Sequence, residues 1–483
     1  MSYSKIFSDL PELTYDVIKY FKNDFSTLHS CILVNRLWCR LAIPLLWENP
    51  FSISNENYNF IGIYLHNLNG NLKAQLNEYK IDNNLFPSNT LFNYPIFLKY
   101  LYTREIISSI EKWSKDVELE NNSILVFKRL IYKSLFKIFI ENKVNIHTFD
   151  IYVNHYDFYI DNMLELILQF PDFFCNIRIL KLNFAKALFT SHTKNLISQM
   201  INLFQNLKQI SLDIFSFHIY QSTLLSKDYN NSSNTLNTII LSGLHFKVIT
   251  NLDKLFKQLN VLESVHIIYC NLDTDFIQQL INLTKPLKLK TIFLYNNEIQ
   301  FVESLQLLLQ KYGDYLENVG FAVGFSSFIS EEQQLFESII KYCKNIKFLD
   351  LTITNNTRII YSLFNLTENV KQHLSHLSIH VIRHYSNPSI SIELSSIILQ
   401  NLGQLLPFKL EYLNLSLDIK FKNDFEMFLK NFQNTFIKKL LIENWGSNDE
   451  EVKEFELYDI KIQKYYDLFI DSKSKYVEEL EDF

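Results

Sequence analysis

Leu236-Asn237-Thr238-Ile239-Ile240-Leu241, Leu262-Glu263-Ser264-Val265-His266-Ile267 and Leu289-Lys290-Thr291-Ile292-Phe293-Leu294 spell one pattern three times: apolar, two residues, apolar, one residue, apolar. Working outward, the pattern recurs earlier at Ile146-Phe149-Ile151, Ile177-Leu180-Leu182 and Leu207-Ile210-Leu212. It recurs later at Leu316-Val319-Phe321, Ile346-Leu349-Leu351, Leu374-Leu377-Ile379, Leu410-Leu413-Leu415 and Ile437-Leu440-Ile442. The eleven copies start 26 to 36 residues apart, about 29 on average. Each predicts a short strand buried on one face. Between most copies, groups such as Leu196, Met200, Leu203 and Phe204, or Leu305, Leu308 and Leu309, recur at helical spacing. One strand and one helix cannot bury their apolar faces alone, whereas stacked neighbours share a continuous core. The predicted fold class is therefore α/β, a solenoid over residues 141–460. Residues 217–234, ending Asp228-Tyr229-Asn230-Asn231-Ser232-Ser233-Asn234, show no helical period and read as a loop. A second irregular stretch falls near His384-Tyr385-Ser386-Asn387-Pro388.

The pattern resembles the leucine-rich repeat of the longer kind. That resemblance implies a curved parallel sheet inside, helices outside, and an asparagine or cysteine bonding exposed backbone at each strand's end. Asn154, Cys270 and Asn297 stand there, with Thr354 as a substitute, but Ala185, Phe215, Leu244, Gly324 and Ile382 depart from it. Alternation along each strand places Thr238, Ile240, His266, Ile268, Phe293, Tyr295, Ala322, Phe348, Asp350, His376, Ser378, His380, Tyr412 and Asn414 on the concave face. A solvated face this apolar and aromatic is expected to bind a partner. The substrate-binding candidates are Ile240, His266, Ile268, Phe293, Tyr295, Phe348, Asp350, His376, His380 and Tyr412.

The first fifty residues carry Leu10-Pro11-Glu12-Leu13, Leu28, Val34-Asn35-Arg36, Trp38, Leu41-Ala42 and Leu46-Trp47. Pro11 suits the first turn of a helix running to about Lys22, with Leu13, Val17 and Phe21 on one face. Ser26 is a candidate N-cap for a second helix holding Leu28, Ile32 and Leu33. Asn35 can cap a third, carrying Leu37, Trp38 and Leu41 before Pro44 interrupts it. So small a unit cannot bury all of these side chains, which leaves part of the apolar face for a partner. Residues 1–50 resemble the F-box. The resemblance implies docking on the Skp-type adaptor of cullin-RING ubiquitin ligases through Leu10, Pro11, Leu13, Ile18, Leu28, Val34 and Trp38.

Residues 51–140 read as a helical connector and N-terminal cap, with polar loops at 54–59 and 82–90 and helical stretches at 96–102 and 126–140. An uncapped array would expose its first apolar face. Residues 461–483 form an acidic tail. From 449 onward there are twelve Asp or Glu against five Lys, a balance of −7 beside a net charge of −6 for the whole chain. The rest is close to neutral and offers no basic field for nucleic acid or anionic lipid. The chain carries no basic-plus-apolar leader and no apolar run long enough to span a bilayer, and its five cysteines are scattered without C-x-x-C spacing. A soluble protein of the cytoplasm, the nucleus or both is expected, with no membrane partner.

Eight glycines and no Walker loop, dinucleotide fingerprint or nucleophile elbow favour a binding protein over an enzyme. His373, His376, His380 and His384 would line one face of a helix as metal ligands, but Leu374-Leu377-Ile379 reads as a strand, which separates them. No catalytic residue, metal or cofactor is expected. Together the two resemblances, as in fungal F-box proteins with C-terminal repeats, imply a non-catalytic substrate receptor. Its N-terminus would hold the adaptor and through it a cullin, and its repeat face an unidentified target protein. The alternative from the same residues is a leucine-rich scaffold or inhibitor unconnected with ubiquitin, with the N-terminal helices as a cap.

Overall fold

The computed structural model describes residues 11–444 except 23, 53–57, 67, 69, 80–88, 117–120, 154–157, 185–189, 227–234, 245–250, 271, 286, 295–301, 324–328, 354–356, 383–386, 433–436 and 438. Leu10, Asn154, Tyr295, Asn297, Thr354, His384 and the acidic tail lie outside the described residues. The chain divides into two compact units, Met1–Asn237 and Thr238–Phe483.

Unit one opens with α1 (Pro11–Lys19), α2 (Phe25–Ile32) and α3 (Arg36–Leu46). Helix α1 stops at Lys19, short of Lys22, and buries Thr14 and Ile18. Helix α2 is capped by Asp24 and not by Ser26. The Asp24 carboxylate accepts from the Thr27 amide at 3.0 Å and the Thr27 hydroxyl at 2.6 Å, bonds that hold its pKa below the usual value. Asn35 caps α3 by accepting from the Trp38 amide at 3.0 Å. Pro44 does not interrupt α3, which runs to Leu46. The proline lies in the last turn, where one missing amide costs little because Trp47 still donates to the Ile43 carbonyl at 3.1 Å. Ile18, Leu28, Cys31, Ala42, Leu45 and Leu46 form the shared core, flanked by Phe21, Ile32, Trp38, Leu41 and Trp47.

The connector holds α4 (Phe60–Leu65), α5 (Gly70–Asn77), α6 (Thr103–Trp113) and α7 (Asn121–Glu141). Its expected helix at 96–102 is instead a single 3-10 turn, Tyr94–Phe97, followed by strand β1 (Tyr100–Tyr102). Leu98, Leu101 and Thr103 are each fully buried. They are a further copy of the repeat in which a threonine, whose hydroxyl accepts from the Tyr152 amide at 2.8 Å, replaces the last apolar residue. Parallel to β1 follow β2 (Thr148–Val153), β3 (Ile179–Phe184) and β4 (Gln209–Leu212), in chain order. The intervening helices are α8 (Phe158–Leu168) and α9 (Ser191–Ile201), and α10 (Ile214–Leu224) follows β4. Helix α10 overturns the loop expected from 217 onward. Asp213 and Ser216 form a capping box at its start, and Phe217, Ile219, Tyr220 and Leu224 are buried.

Unit two repeats the pattern, with eight strands and seven intervening helices among the described residues. Its strands are β5 (Thr238–Ser242), β6 (Ser264–Cys270), β7 (Lys288–Leu294), β8 (Asn318–Val323), β9 (Phe348–Ile353), β10 (His376–Val381), β11 (Tyr412–Leu417) and β12 (Lys439–Asn444), parallel and in chain order. Between them run α11 (Leu252–Gln258), α12 (Thr274–Ile281), α13 (Val302–Tyr312), α14 (Ile329–Tyr342), α15 (Thr357–Val370), α16 (Pro388–Leu405) and α17 (Lys422–Phe432). All eleven predicted copies coincide with strands β2 to β12. Val265, Ile267, Leu349, Leu351, Leu377 and Ile379 are buried, each at the second or third apolar position of its copy.

One backbone motif ties consecutive repeats. The carbonyl just before a strand accepts two amides from the next repeat. Glu317 accepts from Lys347 and Phe348, Lys347 from Ser375 and His376, and Ser375 from Glu411 and Tyr412. In unit one Lys99 accepts from His147 and Thr148 in the same way, and Glu48 accepts from Lys99 and Tyr100. Glu48 thus takes the place of a preceding repeat, so the end of the three-helix segment caps the first strand.

Candidate partner-binding surfaces

Three surfaces follow from these elements. On the N-terminal helices, Leu13 is 52%, Leu33 75% and Val34 57% exposed, with Val17, Tyr20 and Phe25 beside them in sequence and also exposed. Pro11 is exposed and Trp38 half-buried. Ile18 and Leu28, expected at the adaptor surface, are instead inside the three-helix core. On the first helix, exposed Leu13 and Val17 repeat at the same interval of four as buried Thr14 and Ile18, and only packing separates the two pairs.

The second surface is the face of unit two's strands away from the helices. Cross-strand register aligns Ile240, His266, Thr291, Asn318, Phe348, His376 and Tyr412 in one row. Phe293, Gly320, Asp350, Ser378 and Asn414 align in the next. The predicted residues are therefore brought together, but Ile240, His266, Ile268, Phe293, Phe348, Asp350 and Tyr412 are buried where an exposed face was expected. The cause is that they cover one another. Ile240, Ile268, Phe293 and Phe348 form their own cluster with Tyr269 against it. Rings then continue across the strands, with Phe293 to Phe348 at 5.4 Å, Phe348 stacked on His376 at 5.8 Å and His376 stacked on Tyr412 at 5.6 Å.

Gly320 makes this possible. A Cβ there would stand 2.6 Å from the Phe293 ring and 3.0 Å from the Asp350 carbonyl, so only glycine lets Phe293 reach across β8 to Phe348. Tyr269 adopts the left-handed conformation at φ 53, where β6 and β7 shift register. A bulky residue held there is strained, and the bulge re-aims its side chain.

Polar side chains on this face are paired along the rows. His266 Nδ1 lies 2.8 Å from the Thr291 hydroxyl, to which the Asn318 amide donates at 2.9 Å, and the Asn414 amide donates to Ser378 at 3.0 Å. His380 Nε2 is 3.2 Å from the Ser378 hydroxyl and 3.5 Å from Asp350. Serine and aspartate meet the same ring nitrogen, so the trio lacks the two-sided geometry that lets histidine relay a proton to a serine nucleophile. Burial pushes the His380 imidazole down to about 4, leaving it neutral at neutral pH. His376 and His380 share a strand face while His373 lies in the turn before β10. Among the described residues no three metal-ligating side chains come together. Cys270 is buried, its thiol donates to the Leu241 carbonyl at 3.3 Å, and burial raises its pKa to about 12. It bonds backbone carbonyls of β5 and of its own strand.

The third surface is one that sequence reading missed, the same face of unit one. Tyr100, Tyr102, Asp150, Tyr152, Lys181 and Asn183 are all half-buried there, alternating with fully buried Leu101, Phe149, Ile151, Leu180 and Leu182. Cations stand by all three rings: Lys181 at 5.6 Å from the Tyr102 centroid, Arg104 at 4.9 Å from that of Tyr152, and Lys22 at the hydroxyl end of Tyr100. Lys22 also donates to the Tyr100 hydroxyl at 3.0 Å and pairs with Glu48 at 3.2 Å, and Lys99 pairs with the same carboxylate. Burial works against the Lys22 charge, but Tyr100 and Glu48 outweigh it and hold its pKa above the usual value. The one available signal was the alternation Tyr100-Leu101-Tyr102, too short to stand out from a helical reading. No helix among the described residues is long and apolar enough to cross a membrane.

No protein-family model matches the chain, and no curated protein matches it either.

Proposed function

We propose that this chain is the substrate receptor of a Skp-cullin-F-box type ubiquitin ligase, with α1 to α3 holding the adaptor and the strand faces holding a target protein. The observation that carries the reading is the division of labour within the three helices. Their own core is closed by Ile18, Leu28, Cys31, Ala42, Leu45 and Leu46, yet Leu13, Leu33 and Val34 remain well exposed. That many exposed apolar side chains on so small a unit support a partner site there. The receptor needs no catalytic group, because holding a target near a ubiquitin-conjugating enzyme raises its effective concentration.

Co-elution of the full chain with a Skp-type adaptor tests the reading. Leu13→Asp with Val34→Asp should abolish co-elution while leaving thermal unfolding unchanged, since both side chains are exposed. An adaptor that fails to bind the native chain, or that binds the variant equally well, sinks the proposal.

A second reading has its own support. Glu48 caps β1 through its carbonyl while its carboxylate pairs with Lys22 and Lys99, and Trp47 packs on Tyr64 at 5.3 Å and Tyr94 at 4.1 Å. That construction suits a leucine-rich scaffold or inhibitor whose N-terminal helices serve only as a cap. Retention of a target by a chain that ignores the adaptor would favour it.

A further inference from the structure

We propose that the strand face of unit one, built on Tyr100, Tyr102 and Tyr152 with Arg104 and Lys181, binds an acidic, extended segment of a partner protein. The proposal deepens the receptor reading and rests on it only for the partner's role as a target. Three observations meet here. First, the residues expected to contact a target from unit two are largely buried against one another, whereas the same face of unit one is half-open along β1 to β3. Second, tyrosine and arginine are enriched among interface hot spots, and three tyrosines with one arginine and two lysines beside them share this one face.

Third, the chemistry on offer is donor-rich and cationic. Lys22, Lys99, Arg104 and Lys181 stand against Glu48 and Asp150. The Glu48 side chain is 5% exposed between two lysines, and Asp150 accepts from the Asn183 amide at 3.3 Å. The neighbouring Glu105 is half-buried, with one oxygen sealed from solvent. The Tyr100 oxygen already accepts from Lys22, which leaves its O–H to donate. Phenol hydroxyls, a guanidinium and an ammonium supply hydrogen-bond donors and positive charge. A run of glutamates or aspartates supplies the acceptors and the opposite charge. Arg104 is the exposed member, on the first turn of α6.

The test is fluorescence anisotropy of the full chain with a labelled peptide of about twelve residues, half of them glutamate. Extended, it is long enough to cross several strands spaced about 4.8 Å apart. Binding that weakens with added salt is expected, and a lysine-rich peptide of the same length should not bind. Arg104→Glu with Lys181→Glu should weaken binding about tenfold or more, and Arg104→Lys should retain most of it. Thermal unfolding of each variant separates lost binding from lost fold, and Tyr152→Phe, which keeps the ring under Arg104, serves as a second, gentler variant expected to weaken binding less. No binding of the glutamate peptide, equal binding by the charge-reversed variant, or preference for the lysine-rich peptide or for anionic vesicles overturns the proposal. Adaptor co-elution is read separately, so a chain that binds the acidic peptide without the adaptor refutes the ligase reading and leaves this surface standing.

Discussion

His380 shows how a single residue couples this fold to pH. Its imidazole faces Asp350 across β9, Ser378 on its own strand and Ser416 across β11, in surroundings that push its pKa down to about 4. An unfolded histidine titrates near 6.5. Below that pH the unfolded chain binds the proton first, so the stability contributed is complete above about 6.5 and is lost as the pH falls toward 4. With the side chain 24% exposed, the loss between pH 7 and 5 should be about 1–2 kcal/mol. Urea titrations at both pH values check this. The native chain should lose more stability on acidification than His380→Gln, and equal losses would contradict the assignment. Cys270 and Gly320 act at the same scale, one by bonding neighbouring backbone and the other by leaving room for Phe293.

Helix α10 carries the lesson at the scale of the element. Its sequence, Ile214-Phe215-Ser216-Phe217-His218-Ile219-Tyr220, is apolar on every side and so has no helical period to read. What defines it is Asp213, which accepts from the Phe215 amide at 3.0 Å and the Ser216 amide at 2.9 Å and also holds the Phe184 amide at the end of β3. Burial pushes the Asp213 carboxyl up, although these bonds pull it back. Asp213→Ala should cost about 1–2 kcal/mol, the usual range for a lost N-cap. Hydrogen exchange should speed up first in α10 and at Phe184, and a uniform change across unit one would argue against a capping role. Strand β1 escaped notice for the opposite reason, since Thr103 breaks the apolar pattern at its third position. Strands β2 to β12 were legible because stacking demands the same apolar spacing in every copy, whatever the helix between them.

At the scale of the whole molecule, the N-terminal helices are both a candidate docking surface and a structural cap of unit one. Deleting residues 1–50 removes Trp47, the Glu48 carbonyl that holds β1 and the Glu48 carboxylate that pairs with Lys99. The deletion should therefore lower the unfolding temperature of unit one and expose β1 and β2 amides to exchange, with the strands of unit two protected as before. Protection unchanged in β1 would show that the helices are a separable appendage.

The order of strands, their parallel pairing and the location of the helical N-terminus follow from local apolar spacing, which a chain carries in its own residues. Accessibility does not. Ile18 and Leu13 share one helix, and Phe348 and Tyr152 occupy the same face of their strands, yet one of each pair is buried and the other reaches solvent. That choice depends on what neighbouring repeats place alongside: a glycine that admits a ring across β8, or a lysine such as Lys181 that stands over a tyrosine. Periodicity determines which face a side chain takes, and tertiary packing alone decides whether that face remains open to a partner.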